Sequence, residues 1–596
     1  MDYIEMDILG TLLRTKDRNQ RAVARNSGYS VGAVNHALRS LKAQGYIDGQ
    51  YVPTQKTMDF QESHRPQRAV ILAAGYGLRM IPVNQEMPKG LITIEGTPLI
   101  EHTIAQLREV GINEIHVVTG YMKERYEYLS EAFGVHLVYC ADYQNKNNLY
   151  SLACLKGHLS NAYIIPSDVY CYLNPFRSFE PHSWYLLSQE VTDETDVRLA
   201  RNNTIRLISE GDLGNRVLGI AYLSFEDADS AEEHLRELTA EGKNKHAYWE
   251  EIITSKKQMV IPARLFSPSD AVEINTYQQL REVDYYNKAL QNDIISTIQN
   301  ALNVSYEEIS DISVLKKGLT NRSFLFTVRD QKYIMRVPGE GTEAILDRRK
   351  EARIYKQLEG KGFCDDNIYF DPEKGYKISR YIENARVCND EDPDEVRECL
   401  QIARRLHNLK LRDGEELHLF EVLDYYEGLW YSGTSQYRDY TDVKESILQM
   451  RPFVEAHAFP QVLSHLDCNP DNFLISVASD GRKKIDLIDW EYAGMHDPLA
   501  DLAAFISYRW HENPKEYADM VIDAYFTEGC SWETRLLVYC YTALWGLYNS
   551  NWCEYRQQLG VELGEFPVIE YRYAKVFSRL FHDEYLKYSK GEEDHG

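Results

Sequence analysis

Two sets of residues in this 596-residue chain have the types and spacing to handle phosphate chemistry. The first is Leu72-Ala73-Ala74-Gly75-Tyr76-Gly77-Leu78-Arg79, followed by Pro88-Lys89-Gly90-Leu91. Glycines at positions 75 and 77 let backbone N–H groups approach phosphate oxygens that a Cβ would hold off. Arg79 and Lys89 add mobile positive charge for a triphosphate and for a departing pyrophosphate. The second set is His465-Leu466-Asp467-Cys468-Asn469-Pro470-Asp471-Asn472, followed by Ile488-Asp489-Trp490-Glu491. The H-x-D-x-x-x-x-N spacing suits phosphoryl transfer: Asp467 orients and deprotonates a hydroxyl, Asn472 contacts a metal ion, and Asp489 supplies a magnesium carboxylate. His465 fits a structural hydrogen-bonding role better than that of a base. One set makes a phosphomonoester and the other can consume one, so their union implies two consecutive activation steps.

Periodicity indicates the elements that position these residues. Ile8, Leu9, Leu12 and Leu13 recur at helical spacing, and residues 20–25 and 31–42 predict two further helices. Ser27-Gly28 supplies the turn between those two, and Ser30 is the expected N-cap of the second. Residues 45–52 alternate like a short β-wing, and residues 61–67, polar and containing Pro66, read as a linker. Strand, helix and strand then follow at 69–73, 100–110 and 114–119, a rhythm that predicts βαβ units and a mostly parallel sheet to about residue 286. A helical connection over 287–302 leads to a hairpin, 324–328 with 332–337, and then to long helices.

Bulk properties bound the reading. The length is too great for one hydrophobic core, and 44% hydrophobic with 26% charged residues is a globular composition. A formal charge of -25 argues against nucleic acid as the main ligand of the whole chain, while leaving room for a small local DNA-binding module. The acidic start lacks the basic and apolar regions of a signal peptide, and no apolar run approaches the ~20 residues of a membrane span. Ten scattered cysteines without a C-x-x-C pair argue for reduced thiols in a cytoplasm and against a structural zinc site.

Residues 68–286 resemble the sugar-nucleotidyltransferase superfamily, whose signature has the form L-A-A-G-x-G-x-R-x-x-P…P-K. Within it they are most similar to bacterial CTP:phosphocholine cytidylyltransferases, through Val118-Thr119-Gly120-Tyr121, Asn147-Asn148-Leu149-Tyr150-Ser151 and Tyr248-Trp249-Glu250-Glu251 as well. The resemblance implies that Ala73, Gly75, Gly77, Arg79 and Lys89 hold the nucleotide, with Asn147, Asn148 and Ser151 near the base or ribose. It places Mg²⁺ on Asp168 and on Asn275, where many relatives have Asp. Tyr248 and Trp249, with Glu250 beside them, have the chemistry to recognise a quaternary ammonium, which offers no N–H and is best held by aromatic faces. The same pair also fits core aromatics at a helix start.

Residues from about 305 to 585 resemble the aminoglycoside phosphotransferase and choline kinase family. The resemblance implies a nucleotide loop at Lys317-Gly318-Leu319-Thr320-Asn321-Arg322, Arg336 on the strand that carries lysine in most relatives, and Glu351 as its ion-pair partner. Choline kinases commonly use arginine there, which keeps the charge and alters the geometry. The loop has one glycine where protein kinases have three, which argues against a protein substrate. Trp545 and Tyr548, spaced to share one helix face, match the family's choline-site helix, although such a stripe also suits a core. Residues 1–60 resemble the winged helix-turn-helix of bacterial regulators, with Asn35, His36 and Arg39 on the outward face of the recognition helix. Nearly balanced local charge leaves a docking or dimerisation module as the other reading.

The expected architecture is therefore multidomain, α/β and α+β: a winged helix at 1–62, a Rossmann-like nucleotidyltransferase with a mostly parallel sheet at 66–288, and a bilobal protein-kinase-like phosphotransferase at 292–596. The resemblances imply ATP-dependent phosphorylation of choline, then CTP-dependent cytidylyl transfer to phosphocholine, with Mg²⁺ in both sites. Choline and phosphocholine are the expected partners, with DNA through residues 1–60 as a further one and no membrane association. The alternatives are the same two reactions on another amino alcohol or a sugar, and a DNA-binding regulator that senses choline or nucleotide. The choice of CTP rests on the resemblance alone.

Overall fold

The computed structural model describes the chain apart from residues 201–202, 210, 241–243, 255–259, 316–320, 340–345, 415, 432, 478–480, 559–560, 562 and 590–596. It forms two compact units, Met1–Thr297 and Ile298–Gly596.

The first unit begins with the helices Tyr3–Arg14, Gln20–Ser27 and Val31–Ala43, followed by Gln55–Ser63. Their ends are written in the sequence. Asp2 and Glu5 form a reciprocal capping box, Asn19 accepts from the Ala22 N–H, and Ser30 accepts from the Ala33 N–H. Gly28 closes the second helix at φ +77°, a conformation that strains any residue with a Cβ. Ile8, Leu9, Leu12, Val23, Val34, Leu38 and Leu41 interlock as the core of this bundle. The expected β-wing is reduced to one antiparallel bridge, Ile47 to Pro53.

The linker expected at 61–67 needs correction. Its first three residues are helical, and His64 is 4% exposed, with Nε2 2.9 Å from Glu226 Oε1 and its ring against Phe60. A polar composition concealed a packed imidazole. This contact and a second one dock the bundle on the rest of the unit. Tyr3 meets His182 edge to face, and His182 Nε2 lies 3.0 Å from Asp7 Oδ1. Burial disfavours both charges, yet their pairing holds the Asp7 carboxyl below its ordinary pKa and the His182 imidazole above it. The third helix keeps an open face: His36 and Arg39 are exposed and Asn35 is half-buried.

Beyond the bundle, a seven-stranded sheet runs in the order Ala263–Phe266, Trp184–Thr192, Gly214–Leu223, Ala162–Pro166, Arg68–Ala73, Glu114–Thr119, His136–Tyr139. The last four strands are mutually parallel, and Gly214–Leu223 is antiparallel to both neighbours. Alternate residues feed opposite faces: Ile71, Ile115 and Val117 pack on one layer, and Val70, Leu72 and Val118 on the other. Parallel register brings the C-terminal ends of three strands together, so the loops carrying Gly75, Gly120 and Asp168 open on one edge. A Cβ at Gly120 would lie 2.7 Å from Ala74 O and from Tyr143 Cβ, so this loop requires glycine for close approach.

The second unit opens with a five-stranded antiparallel sheet in the order Ile309–Val314, Asn321–Val328, Gln331–Pro338, Lys377–Arg380, Asn367–Phe370. The expected hairpin is its centre, paired from Asn321 with Pro338 to Val328 with Gln331. Helices follow, among them Pro393–Asn408, Leu499–Ser507, Trp532–Gln558 and Phe566–Ser589, around one large apolar core. Among the described residues no helix is long and apolar enough to cross a membrane.

Candidate active sites

In the first unit the strand Arg68–Ala73 ends in the glycine turn, and Gly77 sits at φ +59° with Lys89 against it. The Lys89 ammonium donates to both Asp168 Oδ2 and Asn275 Oδ1, and Arg79 Nη2 donates to Asn275 Oδ1 at 3.1 Å. Four residues separated by up to 196 positions thus meet at one point. Glu273 and Glu250 join them. Burial, then the nearby Asp168 carboxylate, raises the Glu273 pKa, and burial pushes Glu250 up to about 7. Burial is the larger cause of both shifts, with neighbouring carboxylates adding to it and, at Glu273, Lys89 and Arg79 opposing it. Asp168 Oδ1 is buried without a hydrogen bond, and the donors are carboxylate and amide oxygens, so the residues fit a magnesium ion.

The residues expected near the base and the ammonium make contacts within the protein. Asn148 Oδ1 accepts from the Trp249 N–H at 2.8 Å, and Asn147 Nδ2 donates to His246 O at 3.1 Å. The asparagine pair therefore clamps the loop that carries Tyr248 to Glu250. Ser151 is 5% exposed, with its hydroxyl 4.0 Å from the Cys140 sulfur, and is shut into the core rather than turned to solvent. Trp249 is fully buried beside Tyr185, whereas Tyr248 is 59% exposed. The two rings do not form one aromatic wall; a strand-facing indole was indistinguishable from a ligand-facing one in sequence.

In the second unit the catalytic loop is held from beneath. Asp501 accepts from the backbone N–H groups of His465 and Leu466 at 2.9 and 2.7 Å and pairs with His407 Nε2 at 2.9 Å. His465 is fully buried, its Nε2 2.9 Å from Ile488 O, and burial lowers its pKa to about 4. It is a neutral brace, in agreement with its expected role. Asp467 Oδ1 accepts from Asn469 and Oδ2 from Asn472, each at 2.8 Å. Burial nevertheless pushes the Asp467 pKa up to about 7. Asp489, at φ +67°, is also raised well above the ordinary carboxylate range, by burial and then by Glu491. Asn472 and Asp489 offer oxygen donors in an electronegative pocket, which fits a magnesium ion.

Residues 317–320 of the expected nucleotide loop lie outside the described residues. Asn321 belongs to a closed polar ring: its Nδ2 donates to Glu491, its Oδ1 accepts from Arg348, and Arg348 also reaches Glu351 and Glu491. Arg336 donates to Glu351 at 2.6 Å and lies 3.6 Å from Asp489. Burial opposes both charges, but the pair keeps the Arg336 pKa above and the Glu351 pKa below its ordinary value. Arg348 and Glu491 had no assigned role in the sequence reading, although Glu491 lies within the quoted motif.

A cavity of about 410 Å³ joins these groups to Trp545 and Tyr548, whose ring centroids are 5.1 Å apart. Glu570 lines the same cavity. It is 1% exposed, with Oε2 unbonded, and burial raises its pKa well above the ordinary carboxylate range. No motif surrounds Glu570, and sequence reading assigns it no role. The helices bearing the aromatics and Glu570 cross at Gly546, where a Cβ would stand 2.5 Å from Glu570 O and 2.8 Å from Ala574 N. Gly546→Ala is expected to destabilise the protein by about 1–3 kcal/mol through forced backbone separation, read as a lowered denaturant midpoint at unchanged slope.

Comparison with known proteins agrees with this division. Residues 311–535 match the phosphotransferase enzyme family, residues 69–172 the MobA-like NTP transferase domain, and residues 1–48 a winged helix-turn-helix DNA-binding family. The choline-phosphate cytidylyltransferase of Streptococcus pneumoniae is 32% identical over 223 residues, 36% of this chain and 96% of that one. Protein LicA of Haemophilus influenzae is 25% identical over 266 residues, 42% of this chain and 95% of that one. The crystal structure of the choline kinase LicA from Streptococcus pneumoniae is 24% identical, covering 48% of this chain and 99% of that one, with a TM-score of 0.41. Two catalytic domains are thus fused behind a winged helix, and through its middle segment the chain belongs to the choline-phosphate cytidylyltransferase family.

Proposed function

We propose that the chain makes CDP-choline in two steps, phosphorylating choline with ATP and then transferring a cytidylyl group from CTP to phosphocholine. The observation that carries this reading is the single cavity that brings Asp467, Asn472, Asp489 and Arg336 together with Trp545, Tyr548 and Glu570. Two adjacent aromatic faces and a buried acid, whose ionised form a bound cation would favour, suit a quaternary ammonium, and Asp467 lines the same cavity to take the proton of its alcohol. The cytidylyltransferase relatives supply the matching second step.

In the first step Asp467 accepts the hydroxyl proton, its oxygens held by Asn469 and Asn472, while Arg336, fixed by Glu351, faces the nucleotide phosphates. In the second step Lys89 and Arg79 neutralise charge on the triphosphate and the leaving pyrophosphate, and Asp168 with Asn275 would hold a magnesium ion. Magnesium, when bound at either site, supplies charge neutralisation between phosphate oxygens.

An end-point assay with Mg²⁺, ATP and CTP, comparing choline, ethanolamine and a sugar panel by mass spectrometry, tests the reading. CDP-choline from choline supports it; turnover of another acceptor alone replaces the substrate, and no turnover moves weight to a sensor. Trp545→Ala is expected to weaken choline binding by about 2 kcal/mol, roughly 30-fold in KM, while the KM for ATP stays unchanged. Glu570→Gln, nearly isosteric, should act in the same direction on choline more than on a neutral alcohol.

A second reading concerns residues 1–60. The open face of the helix Val31–Ala43 favours a DNA-binding role alongside catalysis. A specific duplex should then be bound with steep salt dependence, lost in Arg39→Ala; binding that is absent at low salt overturns it.

A further inference from the structure

We infer that Glu114, His116 and His158 form a binding site for a divalent transition-metal ion, zinc foremost, away from the phosphate-handling residues of the first unit. One potential ligand atom from each side chain lies within 4.8 Å of the others. His116 Nε2 is 3.2 Å from Glu114 Oε1, and His158 Nδ1 is 3.9 Å from the same oxygen. His158 Nδ1 is shut off from solvent and makes no hydrogen bond among the described residues. The two imidazoles are tilted at 52° with centroids 4.8 Å apart, an arrangement in which both can turn a nitrogen toward one ion. His136 instead stacks on His116 at 30° and forms an outer wall.

The spacing is close to what zinc requires. Ligands 2.0–2.2 Å from a tetrahedral zinc ion stand roughly 3.4 Å apart, so the Glu114–His116 pair at 3.2 Å fits, while His158, 3.9 Å from Glu114 and within 4.8 Å of His116, must close by up to about 1.4 Å. Arg68 Nε lies 3.2 Å from the same Glu114 oxygen as an ion pair without a hydrogen bond, a contact that a bound ion would displace or share. Two imidazoles and one carboxylate suit zinc and its transition-metal neighbours, whereas magnesium selects oxygen donors. Three protein ligands leave a fourth position for water.

Placement separates this cluster from catalysis. Glu114 and His116 begin a strand whose other end, Thr119, pairs with Ala73 at the glycine turn, roughly 15 Å of strand away. An ion there would tie the strand Glu114–Thr119 to the loop before Ala162–Pro166. The scattered cysteines set the expectation against a structural zinc site; that argument bears on thiolate ligands, and this cluster uses imidazole and carboxylate instead.

The test uses the full-length chain stripped of metal, dialysed against micromolar zinc with millimolar magnesium present, and assayed for zinc content and Tm. The expected result is one more equivalent of zinc in the wild type than in His158→Ala or Glu114→Gln, with a zinc-dependent rise in Tm only in the wild type. His158 is 42% exposed at its side chain, so His158→Asn serves as a second variant that preserves the fold, checked by its metal-free Tm. Equal zinc content in the wild type and all three variants, or displacement of the extra zinc by magnesium, overturns the proposal.

Discussion

Asp467→Ala is expected to lower the kcat of the phosphotransfer step by roughly 10²–10⁴-fold, the range for removing a positioned general base. Cytidylyl transfer to added phosphocholine should be unchanged in the same preparation. The wild-type pH profile carries the sharper statement. Burial pushes the Asp467 pKa up to about 7, and a base works only when ionised. The kcat/KM for the alcohol should therefore fall about tenfold per pH unit below 7 and level off above it. A flat profile from pH 5.5 to 8, with chemistry shown to be rate-limiting, would remove Asp467 from the role of base.

Lys89→Ala should cost cytidylyl transfer roughly 10²–10³-fold and leave phosphotransfer intact, since one preorganised cationic donor at the developing charge is lost. Lys89 is the cation that touches both Asp168 and Asn275, with Glu273 crowded beside them. Lys89→Arg keeps the charge, but Gly77 lies against the Lys89 stem and the broader guanidinium must find new room. Partial recovery in Lys89→Arg would separate charge from geometry. Transfer at the wild-type rate in Lys89→Ala would remove the residue from the site. The two variants fail at different steps, so mixing them should restore the product when phosphocholine can diffuse between chains.

The glycine turn with Arg79 and Lys89, and the loop with Asp467 and Asn472, were legible because each lies on a short run, whereas Asp168 and Asn275 entered through the resemblance alone. The glycine turn must follow a strand, and Asp467 and Asn472 share one loop, so spacing alone reports geometry. Caps and turns were legible for the same local reason, as Ser30 and Gly28 show. What escaped depends on distant partners. Asp501 braces the catalytic loop from 36 residues away, and Asn148 reaches the Trp249 backbone across 101. Glu570 belongs to no motif and acquires its character from burial. Trp249 and His64 show the complementary failure, since a side chain's type does not say which face of its segment is covered.

The crossing at Gly546 bears on how this pocket could change over time. The separation of two helices there is set by backbone contact, and one helix carries Trp545 and Tyr548 while the other carries Glu570. A larger residue at the crossing would widen the cleft without altering any group that lines it. Acceptor range in such an enzyme can then drift through a position that touches no substrate, so sequence surveys confined to the lining residues would overlook the variable that tunes it.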